Sequence, residues 1–158
     1  MTVPNKDGAK VRFPPPLVFL GAIVLGVIFQ RMVVPLSLVL SSGLRIGAGV
    51  LILACGLALG ASARILFTRT GQSPIPWKPT PELILQGPYR FTRNPMYLGI
   101  TLVVIGLGLA LNNLWISLFA APALLVVHFI AVLPEERYLA EKFGDSYRSF
   151  LAQVRRYL

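Results

Sequence analysis

Acidic residues are scarce in this chain: six Asp and Glu stand against 15 Lys and Arg, and none of the six falls inside a long apolar run. A proton-coupled exporter of cationic compounds needs a carboxylate deep within a span, so that class is excluded. Cysteine is nearly absent as well. Cys55 stands alone, which rules out an internal disulfide. With no neighbouring base to generate thiolate, it reads as a small buried thiol and not as a nucleophile. His128 is the single histidine; without a second ligand at metal-binding spacing it reads as a hydrogen-bonded helix residue, and no metal site is expected. Self-similarity at periods of about 20–50 residues is missing too, which sets repeat arrays aside. Charge overall is thin. Only 13% of residues are charged and 55% are hydrophobic, and the mean hydropathy is +0.70. That is too little polar surface to cover a soluble domain of 158 residues.

What is present is a set of apolar runs long enough to cross a bilayer. Residues 17–34 form a first span that ends at Pro35, and residues 44–67 form a second. In the second, Gly49, Gly56 and Gly60 allow close helix approach where apolar attraction alone does not draw helices together. Residues 96–111 and 114–133 are joined only by Asn112 and Asn113, so they must form an antiparallel helical hairpin. The expected fold is therefore all-α and polytopic, with about four transmembrane helices, a C-terminal hairpin among them. Beyond Pro134 an interfacial amphipathic helix is expected, with Leu139, Phe143, Tyr147 and Leu151 recurring every fourth residue and Glu135 and Glu136 at its positive end. The whole chain, residues 1–158, reads as one membrane-embedded domain.

The formal charge of +9 invites a nucleic-acid reading, but the positions of the charges argue against it. Lys6, Lys10 and Arg12 precede the first span, and the remaining basic residues cluster after the second and fourth spans, except for Arg31 and Arg45. This is the positive-inside pattern of a four-span protein with both termini in the cytoplasm. Residues 1–16 read as a retained anchor flank, since no small-residue cleavage site follows the apolar stretch. No eukaryotic targeting signal is visible, so a prokaryotic inner membrane is expected.

Polar chemistry gathers in two places. Residues 68–86 carry Pro74, Pro76, Pro79 and Pro81, which forbid a continuous helix. Irregular backbone at this depth is tolerated only where protein covers it or a polar cavity needs it. Trp77 within it reads as an interfacial anchor. The second place is the pair Glu135 and Glu136 at the membrane boundary, where each acid needs a cation: Arg90, Arg93 or a positively charged ligand.

Gly87-Pro88-Tyr89-Arg90 followed by Arg93-Asn94-Pro95-Met96-Tyr97-Leu98-Gly99, with Glu135-Glu136, Phe143-Gly144 and Tyr147 further on, resembles the superfamily of isoprenylcysteine carboxyl methyltransferases and phospholipid methyltransferases. The likeness covers roughly residues 45–157. It implies a membrane methyltransferase that uses S-adenosyl-L-methionine, releases S-adenosyl-L-homocysteine, and acts on an amphiphilic or lipid acceptor from the bilayer. In that frame residues 1–43 are a tail and first span, and residues 44–158 are the cofactor-binding core. The resemblance places Pro81, Glu82, Leu83, Ile84, Tyr89, Asn94, Pro95, Met96, Tyr97, Glu135 and Glu136 at the cofactor, with Arg93 or Arg90 suited to its carboxylate. Glu136 and Tyr97 are the candidate catalytic proton acceptors for an amine substrate. Eukaryotic prenylcysteine enzymes carry an arginine one turn before the acidic pair; here that position is Ala131, which counts against a prenylated cysteine. Two other readings stay open: a noncatalytic membrane scaffold of the same fold, and a nicotinamide-dependent membrane reductase.

Overall fold

The computed structural model describes residues 8–11 and 13–157, so Lys6, Asp7 and Arg12 lie outside the described residues. Among these the regular structure is entirely helical: α1 (Pro15–Met32), α2 (Ser42–Arg69), a 3-10 turn at Gly87–Arg90, α3 (Pro95–Ala110), α4 (Leu114–Val127), a turn of π-helix at His128–Val132, α5 (Leu133–Phe143) and α6 (Asp145–Gln153). α1 begins two residues ahead of the expected start because Pro15 and Pro16 occupy its first positions, where a missing N–H costs nothing.

Among the described residues, three helical stretches are long and apolar enough to cross a membrane: Pro15–Met32, Ser42–Arg69 and Leu114–Phe143. The fourth, α3, has 16 residues, about 24 Å of rise against a hydrocarbon core of about 30 Å. Leu20, Val24, Leu51, Leu57, Leu118, Leu125 and Phe129 are all exposed around the bundle. An apolar belt of that extent has no place in water. The chain is an integral membrane protein.

α3 is held by its glycines. Gly49 and Gly56 on α2 are two turns apart, as are Gly99 and Gly106 on α3, and the antiparallel pairing sets Gly49 against Gly106 and Gly56 against Gly99. A Cβ on Gly56 would lie 2.6 Å from the Gly99 carbonyl oxygen, and one on Gly49 2.7 Å from that of Gly106. The helices meet backbone to backbone, which maximises dispersion contact in lipid. α3 then packs on α4 and α4 on α1, so the helices run in the row α2, α3, α4, α1. Cys55 faces outward on α2 and is exposed. This corrects the expectation of a buried thiol, because the packed face of α2 is taken by the glycines on either side of it.

Two further corrections concern the C-terminal third. The helix of the fourth span does not stop near Leu133 but runs on without a break through Pro134 to Phe143. Proline lacks the N–H for an α-helical bond, and its ring crowds the carbonyl four residues back. The π turn relieves this: the Leu133 N–H bonds to the His128 carbonyl, an i to i+5 step that widens the helix just ahead of the proline. The expected single amphipathic helix is instead two, broken at Gly144, whose φ of 52° and ψ of −122° end α5. In α6 Tyr147 and Phe150 are buried and Leu151 is partly buried, as Leu139 and Phe143 are in α5.

The hairpin tip is pinned by its polar residues. Asn112 takes a φ of 55°, and the Asn113 carbonyl oxygen accepts from the Ile116 N–H while its amide donates to the Gly26 carbonyl at 3.1 Å. Arg45 donates to the carbonyls of Leu109 and Ala110 at the end of α3, where a cation complements the helix dipole.

Gly56→Val should lower the thermal unfolding midpoint of the detergent-solubilised protein, with an overpacking cost of about 1–3 kcal/mol or failure to fold. Gly47→Ala, with nothing within 4 Å of the added carbon, should leave the midpoint within a degree or two. Equal midpoints would contradict this packing.

Candidate functional site

At the end of the bundle opposite the Asn112–Asn113 tip, the last turns of α2, the proline-rich loop, the start of α3, and α5 and α6 surround a cavity of about 380 Å³. Cofactor sites range over about 300–1,000 Å³. Each wall follows from local chemistry. Pro74, Pro76, Pro79 and Pro81 keep residues 72–86 out of helix, and this irregular segment brings Ile75, Trp77, Thr80, Leu83 and Ile84 to the cavity. Pro95 at the first position of α3 fixes where that helix starts and so sends Asn94, Met96 and Tyr97 inward. Pro14, Pro15 and Pro16 close the side nearest α1.

Of the residues expected at a cofactor, Leu83, Ile84, Tyr89, Arg93, Asn94, Pro95, Met96, Tyr97 and Glu135 line this one cavity. Pro81, Glu82 and Glu136 do not. Glu82 reaches the Gln72 amide at 3.5 Å. Asn94 is 8% exposed; its amide donates to the Arg156 carbonyl at 3.0 Å. Together with the Arg93 N–H to Arg155 carbonyl bond at 3.0 Å and the Thr92 hydroxyl to Arg156 carbonyl bond at 3.1 Å, this binds the motif to the C-terminal tail.

The two neighbouring glutamates meet opposite fates. Glu136 receives Arg156 through two parallel bonds of 2.9 and 2.8 Å and Arg93 at 3.1 Å. Two guanidinium groups thus share one carboxylate, a geometry that planar bidentate donors favour. Glu135 faces the cavity with no cation beside it among the described residues; its partner is the Tyr97 hydroxyl, which donates to it. Arg90 lies elsewhere, in a separate surface hollow with Leu85, Ser146 and Ser149. Arg93 contributes an opposite demand: its Nε is buried and has no hydrogen-bond partner among the described residues. The cavity therefore offers one carboxylate short of a cation and one guanidinium N–H short of an acceptor. Beside them the phenols of Tyr89 and Tyr147 stay protonated at neutral pH. Burial first, and the negative charge of Glu135 second, raise the Tyr89 hydroxyl well above its ordinary value. Burial and the charge of Glu136 push Tyr147 up to about 12.

The sequence model of a family described as phospholipid methyltransferase matches residues 44–146, which takes in both the Arg93–Tyr97 segment and the glutamate pair. The chain belongs to the phospholipid methyltransferase family. It is also similar to an uncharacterised protein of Haemophilus influenzae, 38% identical over 63 residues, which span 40% of this chain and all of that protein. Part of the site comes from beyond the matched region: Pro14–Pro16 before it, and Tyr147, Phe150 and Arg156 after it.

Sequence reasoning missed Arg64, Tyr138 and the three prolines as parts of this cavity, missed Arg156 as a partner of Glu136, and took Trp77 for an anchor although it lines the cavity. The acid pair did signal a need for cations, and Arg93 answers it at Glu136; Arg156, which answers it as well, lies in a tail with no motif to mark it. His128, read as a hydrogen-bonded helix residue, has its Nδ1 3.0 Å from the Tyr157 hydroxyl.

Substituting the two glutamates should separate them. Glu136→Gln leaves Arg93 and Arg156 uncompensated and should cost about 2–3 kcal/mol, below the fully buried range because Arg156 is partly solvated. Glu135→Gln keeps the Tyr97 hydrogen bond and removes an unpaired charge, so the ligand-free protein should be as stable or slightly more so. Thermal unfolding in detergent checks both, and a larger loss for Glu135→Gln would overturn the assignment.

Proposed function

We propose that this protein is an S-adenosyl-L-methionine-dependent methyltransferase that modifies a lipophilic acceptor, an amine-bearing lipid headgroup in preference to a carboxylate, at the cytoplasmic face of a prokaryotic inner membrane. The observation that carries the reading is the unequal pairing of Glu135 and Glu136. A cavity with one unneutralised carboxylate and one orphaned guanidinium N–H suits a ligand that carries both cationic centres and a carboxylate, as the amino-acid half of S-adenosyl-L-methionine does.

Glu135 would hold the cationic centres and Arg93 Nε the carboxylate, while Tyr89, Asn94, Pro95 and Met96 with Leu83 and Ile84 form the remaining contact surface. When bound, the cofactor supplies a methyl group on a positively charged sulfur that leaves as a neutral thioether. The protein contributes position and exclusion of water. An amine acceptor must shed a proton, and Tyr97 Oη can take it as it passes its own to Glu135. Glu136, held by Arg93 and Arg156 and absent from the cavity wall, keeps Arg93 oriented and is not the proton acceptor in this scheme. Ala131, buried in the π turn, offers no cation for a prenylcysteine carboxylate.

Orientation follows from charge. Lys10, Arg64, Arg69, Lys78, Arg90, Arg93 and the basic residues of α5 and α6 all belong to the cavity end, whereas Arg31 and Arg45 belong to the tip end. The positive-inside rule then puts the cavity and both termini in the cytoplasm.

Calorimetry on the solubilised protein should show binding of S-adenosyl-L-homocysteine, weakened at least tenfold by Glu135→Ala. Absence of binding by the natural chain would favour the scaffold or reductase readings. With labelled methyl donor and a total membrane lipid extract, the label should enter lipid and resist base, as an N-methyl group does; a base-labile label would assign an ester instead.

A further inference from the structure

Tyr138 stands on α5 one turn beyond Glu135 and lines the same cavity. Its hydroxyl oxygen accepts two hydrogen bonds, from the Thr80 N–H at 3.2 Å and from the Lys142 ammonium at 3.1 Å. Lys142 Nζ is 5.4 Å from the ring centroid, so the ammonium lies beyond the hydroxyl and not over the ring face. A phenol has two lone pairs and one proton. With both acceptor positions taken, the proton is what remains for a ligand. None of the described residues accepts it, whereas the neighbouring Tyr97 has spent its own proton on Glu135.

Position along the helix narrows the choice of ligand atom. From Leu114 the helix rises about 31 Å to Glu135 and about 36 Å to Tyr138, against a hydrocarbon core of about 30 Å. A lipid acceptor reaches the cavity from the hydrocarbon side, which puts the transferable methyl at the level of Tyr97 and Glu135. The nucleoside must then lie on the polar side, where Tyr138, Thr80 and Trp77 stand.

The geometry points to Tyr138 as a donor-only binding residue whose phenolic proton meets a lone-pair-bearing nitrogen or oxygen on the nucleoside half of the S-adenosyl ligand. The assignment rests on the cofactor reading above. It makes Lys142 and Thr80 positioning residues: by filling the lone pairs they force the phenol to donate, and they tie the proline-rich loop to α5.

The test is calorimetry of S-adenosyl-L-homocysteine on the solubilised full chain, on Tyr138→Phe and on Lys142→Met, with folding checked by thermal unfolding. Tyr138→Phe should weaken binding about tenfold, and Lys142→Met, which keeps the phenolic proton, by less than about threefold. Loss of the Thr80 tie could also weaken binding, so the deciding arm uses ligand analogues in which one adenine ring nitrogen is replaced by carbon or one ribose hydroxyl by hydrogen. One of these should lose about tenfold against the natural chain and nothing further against Tyr138→Phe. If every analogue loses the same factor against both proteins, Tyr138 is only a tether and the proposal falls. Unchanged homocysteine-ligand affinity with a raised KM for the lipid acceptor would move the proton to the lipid and likewise overturn it. Failure of the natural chain to bind at all would instead count against the cofactor reading.

Discussion

The site depends on how two adjacent carboxylates at a membrane boundary are neutralised. Adjacent helix positions point about 100° apart, so Glu135 and Glu136 cannot face the same surroundings. Glu136 turns toward the C-terminal tail and Arg93, and Glu135 toward the cavity. Desolvating a charge is expensive unless a partner compensates it, and Glu136 meets that requirement from within the chain. Glu135 does not, apart from a hydroxyl. In the proposed function that acid gives up stability of the empty state for an interaction with a cationic ligand, a trade-off of stability against function.

The scaffold around that acid is built to hold it still. α3 is too short to be a comfortable span by itself, and its closeness to α2 through Gly49, Gly56, Gly99 and Gly106 anchors it. That fixes Tyr97 on its first turn. The continuous helix through the π turn carries Glu135 from the apolar span into the boundary layer without a loop, so the carboxylate stands on a rigid element. The Tyr97–Glu135 hydrogen bond then joins two helices whose relative placement was already set by packing.

Much of this was legible in the residues. The spans follow from apolar runs, the hairpin from the two asparagines, the irregular wall from four prolines, and the family from the Arg93–Tyr97 segment with the glutamate pair. What escaped was tertiary. Pro134 looks like the start of a new helix, because whether a π turn can absorb a proline depends on the packing of the turns before it. Gly144 divides α5 from α6, yet a lone glycine in an amphipathic pattern is equally compatible with an unbroken helix. Arg156 pairs with a residue 20 positions away, and nothing in the local pattern of the tail marks that return. Cys55 shows the same limit from the other side, since an apolar run does not say which of its faces meets lipid.

The most direct measurement compares two nucleoside ligands that differ at the sulfur position: S-adenosyl-L-homocysteine, neutral there, and sinefungin, which carries an ammonium group in its place. If Glu135 is the unshared charge that the ligand's cation answers, calorimetry will show sinefungin binding more tightly to the natural chain, and that advantage will vanish in Glu135→Gln. An equal preference in both proteins, or none in either, would contradict the account.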